Sequence, residues 1–211
     1  MTAKVLTIAQ QKGGAGKTTL AAHLAVAFAR MGRRVALLDI DPQASLAAWF
    51  RLRSAHAAPQ VTPMVLSEIA GWRLGNELAR LKHDSDLIVI DSPPHAETEA
   101  KVAVRSANLV LIPIQPSPMD VWASGPTVEL AKAAAVPLLV VLNRVPARGR
   151  IIEQMRARLS DLNLPICATV IGNRIGYASS MLEGKAVIEH APHTAAAKEI
   201  KLLAEELIPR L

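Results

Sequence analysis

A short apolar run at residues 4–9 leads straight into Gln10, Gln11, Lys12, Gly13, Gly14, Ala15, Gly16, Lys17, Thr18 and Thr19, and a helix-like stretch follows over residues 19–31. That order restricts the chain to few folds. A buried strand that breaks at a glycine-rich turn and restarts as a helix lets backbone N–H groups turn inward around phosphate oxygens, at the positive end of the new helix. In such a loop Lys17 reaches the β- and γ-phosphates and the Thr18 hydroxyl takes a place on Mg²⁺. Gly13, Gly14, Ala15, Gly16 and Thr19 supply the rest of the cradle. The general phosphate-loop pattern asks for glycine at position 11, where this chain has Gln11, and it has no place for a second lysine, which here is Lys12. The bland alternative is a flexible glycine turn with a solvated lysine, but the flanking strand and helix supply the context the motif requires.

Two further strand-like runs end in acids. Residues 34–38 lead into Asp39, Ile40, Asp41, Pro42 and Gln43, with Asp39 and Asp41 on one side of the strand end and Pro42 stopping the ladder. Two carboxylates at that place beside a phosphate loop suit an Mg²⁺-nucleotide site. The competing reading makes them caps for a helix over residues 44–53, a role that suits Asp41 better than Asp39. Residues 86–91 place Asp91 after four apolar residues, so a buried parallel strand delivers a carboxylate to the ligand-binding edge of a sheet, where it holds Mg²⁺. Apolar strands ending in Asp are common; its weight here comes from following two matching motifs.

Runs rich in Val, Leu and Ile at residues 109–114 and 137–142, separated by a helix-like stretch at 124–135, complete an alternation of strands and helices. The expected fold class is α/β, a mostly parallel central sheet with helices on both faces, in one domain spanning residues 1–211. The best break in the pattern, residues 54–63, is alanine-rich with two prolines and reads as a surface connection.

The variant loop KGGAGKT, together with the DIDPQ run at residues 39–43, resembles the deviant Walker A ATPases of the ParA/MinD family. The resemblance implies a P-loop NTPase fold, ATP with Mg²⁺ as cofactors, and a homodimer formed around ATP in which Lys12 reaches across to the partner's nucleotide. It implies that Asp41 orients the attacking water while Asp39 and Asp91, with Thr18, support the metal. It also makes Asn143, at the end of the last strand-like run, a candidate adenine contact; a turn residue is the equal alternative. Lys12, Lys17 and Asp41 are thus the catalytic candidates. Slow hydrolysis raised by a ParB-like or adaptor protein is the family's pattern.

Composition narrows the partners. With one cysteine, Cys167, the chain cannot by itself build the thiolate cluster of the Fe–S relatives that share this loop. His190 and His193 lack an obvious third ligand for zinc. A net charge of +6 favours a polyanion, and Arg144, Arg148, Arg150, Arg156 and Arg158 crowd one segment against the single acid Glu153. Aromatic residues make up only 3%, which leaves no stacking platform for single strands. Sequence-independent, salt-sensitive contact with duplex phosphates is the expected mode. The resemblance adds Arg174, Lys198 and Lys201 as candidates for the same contact. A merely solvated basic surface is the alternative. No leader or bilayer-length apolar stretch is visible, so a cytoplasmic, nucleoid-associated location is expected.

Two other functions fit the loop. A MinD-like membrane-surface protein would need an amphipathic basic helix, but Glu199, Glu205 and Glu206 dilute the charge of the last helix, whose Ile200, Leu203, Ala204 and Leu207 suggest packing on its own sheet. A metabolic P-loop phosphotransferase would need a small acceptor and no DNA.

Overall fold

The computed structural model describes residues 2–55, 61–94 and 97–211; the middle of the expected surface connection, residues 56–60, lies outside them. Strands β1 (Lys4–Ile8), β2 (Val35–Asp39), β3 (Val65–Glu68), β4 (Leu87–Asp91), β5 (Leu109–Ile114) and β6 (Leu138–Leu142) form one sheet in the order β3-β2-β4-β1-β5-β6. Every pairing is parallel. Helices α1 (Lys17–Arg30), α2 (Ser45–Ala55), α3 (Leu74–Asp84), α4 (Glu97–Arg105), α5 (Pro118–Ala133), α6 (Ile151–Asp161), α7 (Ile175–Leu182), α8 (Val187–His190) and α9 (Ala195–Leu207) make the connections and cover both faces.

Alternation along the strands decides which face each residue serves. Leu6, Ile8, Leu37, Val89, Leu111 and Val141 pack beneath α1, α2, α7, α8 and α9. Their neighbours split into two clusters on the other side. Val5, Leu38, Ile88 and Ile90 meet α3 and α4, and Val110, Ile112, Val140 and Leu142 meet α4, α5 and α6. Strands buried on both faces explain why β1, β4 and β5 read as mostly apolar runs in the sequence.

Helix α1 sits at the centre of the first layer. Leu20, Leu24 and Phe28 are fully buried, and each such side chain contributes about 2 kcal/mol of transfer free energy. Its end is set by Gly32 at φ 84°. The Gly32 N–H donates to the Ala29 carbonyl and the Arg33 N–H to that of Phe28, a Schellman closure that needs a left-handed residue.

Helix α5 begins at Pro118, well before the expected 124, because Ser117 caps it and Pro118 occupies its first position. In α9, Ile200, Leu203, Ala204 and Leu207 are buried against the sheet layer that contains α1, and Thr194 caps the helix. The helix that a membrane-surface reading would use is therefore spent on the core. No helix among the described residues is long and apolar enough to cross a membrane.

Candidate functional site

The sheet order sets the site. β1 lies between β4 and β5, so the loop leaving β1 emerges beside the ends of both, in the crevice at the carboxyl edge where parallel α/β sheets bind ligands. In the loop Gly14 and Gly16 take φ 77° and 91°, conformations that side chains rarely adopt. Gly16 is doubly constrained, since a Cβ there would lie 2.4 Å from the Asn143 amide nitrogen. That nitrogen donates to the Ala15 carbonyl at 2.7 Å, and the Gln115 side chain donates to the Gly14 carbonyl at 2.9 Å. The ends of β5 and β6 thus brace the loop from one side.

On the other side stand the acids. Asp91 pairs in register with Ile8 of β1 and with Asp39 of β2, so both carboxylates occupy the same face of neighbouring strands. Asp91 is buried, and neither oxygen finds a hydrogen-bond partner of good geometry, although the Thr18 hydroxyl lies close enough to favour its charged form. Burial, abetted by the nearby Asp39 charge, pushes the Asp91 carboxyl up to about 7. Burial also raises Asp39, against the pull of two N–H donors. A pair of crowded carboxyls beside a threonine hydroxyl is a donor set that a small divalent cation would satisfy. Thr18 and Asp91 would hold Mg²⁺ there, with Asp39 behind them.

Lys17 is 6% exposed. Burial lowers its pKa, while Asp91 and Asp41 pull the other way. It is a desolvated cation at the foot of the phosphate loop, held charged by nearby carboxylates, as a phosphate-binding lysine requires.

The structure corrects one part of the sequence reading. The acid that caps α2 is Asp39, whose side chain accepts from the Ala47 N–H at 2.9 Å and from Asp41 N–H at 3.1 Å. Asp41 instead accepts from the Gln43 N–H at 2.9 Å in a local turn and stays partly exposed at the crevice. The reason is register: Asp39 is the last strand residue and lies beneath the helix start, whereas Asp41 has already left the sheet.

Asn143 is 4% exposed, and its side-chain oxygen accepts from the Arg144 N–H at 3.0 Å. It lines a cavity of about 170 Å³ with Gly16, Thr19, His23, Gly172 and Tyr177. His23 forms the floor: its Nδ1 accepts from the Val187 N–H at 3.0 Å, its ring meets Tyr177 edge-on, and Nε2 is buried without a partner. Burial holds His23 down to about 4.

Lys12 does not point into the cradle. Its ammonium lies 2.5 Å from the carboxylate of Asp120, which is 3% exposed and begins α5. Sequence reasoning missed Asp120 and Gln115. An N-cap Ser117 followed by an acid three residues on marked a helix start, but nothing local joins position 120 to position 12.

The basic candidates fall into two groups. Arg144, Arg148, Arg150 and Arg158 are exposed on the β6–α6 segment and α6, while Arg156 donates to the Ala168 carbonyl. Lys198 and Lys201 are exposed on α9, but Arg174 is paired with Glu199 at 2.6 Å and carries less free charge than its sequence suggests.

A phosphate-binding loop on a parallel sheet, a buried lysine and two adjacent carboxylates define a P-loop nucleotide-binding protein. More narrowly, the chain belongs to the family of the CobQ/CobB/MinD/ParA nucleotide binding domain, whose model matches residues 6–188. It is 32% identical over 211 residues to the Maintenance of carboxysome distribution protein A of Halothiobacillus neapolitanus, covering 97% of this chain and 96% of that one. It is 27% identical over 238 residues to the Chromosome-partitioning ATPase Soj of Thermus thermophilus, covering 98% and 96%. Among solved structures, the cell division ATPase MinD of Pyrococcus furiosus superposes with a TM-score of 0.84 at 25% identity over 99% of both chains.

Proposed function

We propose that this chain is a ParA-like ATPase that forms an ATP-sandwich dimer, binds nonspecific duplex DNA, and positions or segregates a DNA or protein-complex cargo, with hydrolysis resetting the cycle. The observation that carries the reading is Lys12: a second lysine on the phosphate loop, held at its outer side and away from the chain's own cradle. A group in that place serves a nucleotide in another protomer better than its own.

Lys17 and the loop amides bind the phosphates, and Thr18 with Asp91 and Asp39 hold Mg²⁺. When bound, the ion neutralises phosphate charge and orients the leaving group. Asp41, partly exposed at the crevice, orients the attacking water. The cavity beside Asn143 takes the adenine. Because phosphoryl transfer rests on positioning and electrostatics, a monomer that lacks the partner's Lys12 hydrolyses slowly, and a ParB-like or adaptor protein that orders the dimer accelerates it. Exposed Arg144, Arg148, Arg150, Arg158, Lys198 and Lys201 offer phosphate contacts without base readout, which gives a nucleoid-associated, cytoplasmic protein. The relatives named for carboxysome distribution and chromosome partitioning are why both kinds of cargo stand in the reading.

The test is to incubate the protein with ATP, ADP or no nucleotide and to measure dimerisation and retention on nonspecific duplex DNA at several salt concentrations. The expected result is a dimer and DNA retention with ATP only, weakening steeply with salt. No ATP-dependent retention at low salt would sink the reading. Retention on liposomes in its place would favour the membrane-surface alternative.

A further inference from the structure

At the amino edge of the sheet, opposite the phosphate loop, Lys4 and Leu87 begin β1 and β4 side by side. A cleft of about 220 Å³ opens there, between those strand starts, the last turn of α1 and the chain beyond α9. Its wall is apolar. Phe28 and Leu87 are 0% and 4% exposed, and Ile208 and Leu211 are partly buried against the core.

The rim carries two cations, Lys4 and Arg33, both exposed. Neither side chain has a hydrogen bond or ion pair among the described residues. The acid beside them, Asp86, is already engaged: the Arg34 guanidinium contacts it at 2.7 Å and the Arg34 N–H donates to it at 2.9 Å. Arg34 holds that carboxyl down to about 2, and Arg33 adds only the weakest of the pulls on it. The charge left over at the mouth of this apolar cleft is therefore positive.

We propose that the cleft is a binding site for a small amphipathic monocarboxylate, whose apolar body lies on Phe28, Leu87, Ile208 and Leu211 and whose carboxylate meets Lys4 and Arg33. An apolar floor with a few placed polar groups is the ordinary composition of a small-molecule site. The volume is below the roughly 300–1,000 Å³ of drug-sized ligand sites, so it suits a medium-length chain or a single ring. A phosphate head fits less well, because α1 and α9 end at this edge and offer none of the N-terminal amides that phosphates favour. The site lies outside the nucleotide crevice and does not depend on the ATPase cycle proposed above.

The test is to titrate the full chain, labelled at its Ile, Leu and Val methyls, with octanoate and to follow it by NMR, with and without MgADP. Acetate and 1-octanol serve as controls, one carrying the charge alone and the other the chain alone. The expected result is saturable shifts at the Leu87, Ile208 and Leu211 methyls, with octanoate at least tenfold tighter than either control. MgADP should leave that affinity within twofold. Lys4→Gln/Arg33→Gln, at two exposed positions, should lose at least tenfold for octanoate, keep its affinity for octanol and take up a fluorescent ATP analogue like the parent. The parent's own comparison of octanoate with octanol tests the charge without any substitution. Absence of saturable shifts at these methyls overturns the site, as does octanoate binding no tighter than octanol. A double variant that binds octanoate like the parent overturns it too, and so does displacement of octanoate by MgADP, which would place the ligand in the nucleotide crevice. Failure of the parent to bind MgADP would count against the ATPase reading alone.

Discussion

Lys12 and Lys17 stand five residues apart on one loop in opposite surroundings. Lys17 is buried beside two carboxylates of the cradle, and Lys12 is partly exposed and tethered to Asp120. The difference predicts different failures. Lys17→Ala should abolish nucleotide binding, read by a fluorescent ATP analogue. Lys12→Ala should bind the analogue normally yet lose at least tenfold in ATP turnover at protein concentrations that support a dimer; a variant that turns over like the parent would remove Lys12 from its trans role. Asp41→Ala should bind ATP and accumulate as a dimer, and ordinary turnover would take Asp41 out of catalysis. Gly16→Ala is a backbone experiment, combining φ 91° with a 2.4 Å approach to Asn143. It should destabilise the loop by about 1–3 kcal/mol and weaken nucleotide binding, and Asn143→Ala in the same chain should relieve only the steric part. Loop residues 12–19 were legible because glycine spacing is a local signal. Asp120 was not, because its tie to Lys12 spans 108 positions in sequence.

At the scale of elements, one buried ion pair ties α2 to α8. Arg53, 3% exposed, forms two 2.7 Å contacts to the carboxylate of Glu189, 1% exposed, and also donates to the Gly184 and Thr62 carbonyls. Burial alone would raise Glu189, but Arg53 and the N–H groups of Thr62 and Ala186 hold it down to about 2. Breaking such a pair from one side leaves an uncompensated charge, so Arg53→Met should cost about 3–5 kcal/mol in chemical denaturation. Arg53→Met with Glu189→Leu should recover much of that loss, and equal losses in the single and double variants would contradict the account. None of this was visible in the sequence, where Arg53 reads as a helix-end cation. Strands β1, β4 and β5 were legible to within a residue because burial on both faces writes a mostly apolar run. β3 was not, being a four-residue edge strand whose ends are exposed. α3 and α4 also escaped, since both carry many charged residues, and the 56–60 connection lies outside the described residues.

The whole molecule is organised by a sheet order that no local pattern encodes, since β1 is separated in sequence from both of its neighbours. That order gathers the phosphate loop and the three acids at one edge and packs α1 against α9 at the heart of the other layer. The same packing sets the response to acid, because buried groups titrate abnormally, Asp91 in one direction and His23 and Glu189 in the other. His23, on α1, meets Tyr177 of α7 and accepts from the Val187 N–H of α8, with its pKa lowered to about 4 by burial. In the unfolded chain it takes a proton near 6.5, so between 6.5 and 4 the unfolded state binds more protons and stability falls as pH falls. Glu189 adds a second window. Its folded value near 2 lies below the ordinary 4.5, so its contribution is complete above 4.5 and is lost as pH drops toward 2. Each shift corresponds to about 3 kcal/mol at most. Asp91 acts the other way: raised from 3.8 to about 7, it favours the folded state increasingly as pH falls from 7 toward 3.8. It offsets His23 in the upper window and leaves the net loss of unfolding free energy concentrated below 4.5, where the Glu189 contribution is lost. The His23 part is read as a difference: in urea denaturation series the parent should lose about 3 kcal/mol relative to His23→Gln between pH 6.5 and 4, with the lower window unchanged. A difference between parent and His23→Gln that stays constant from pH 6.5 to 4 would take His23 out of the acid response.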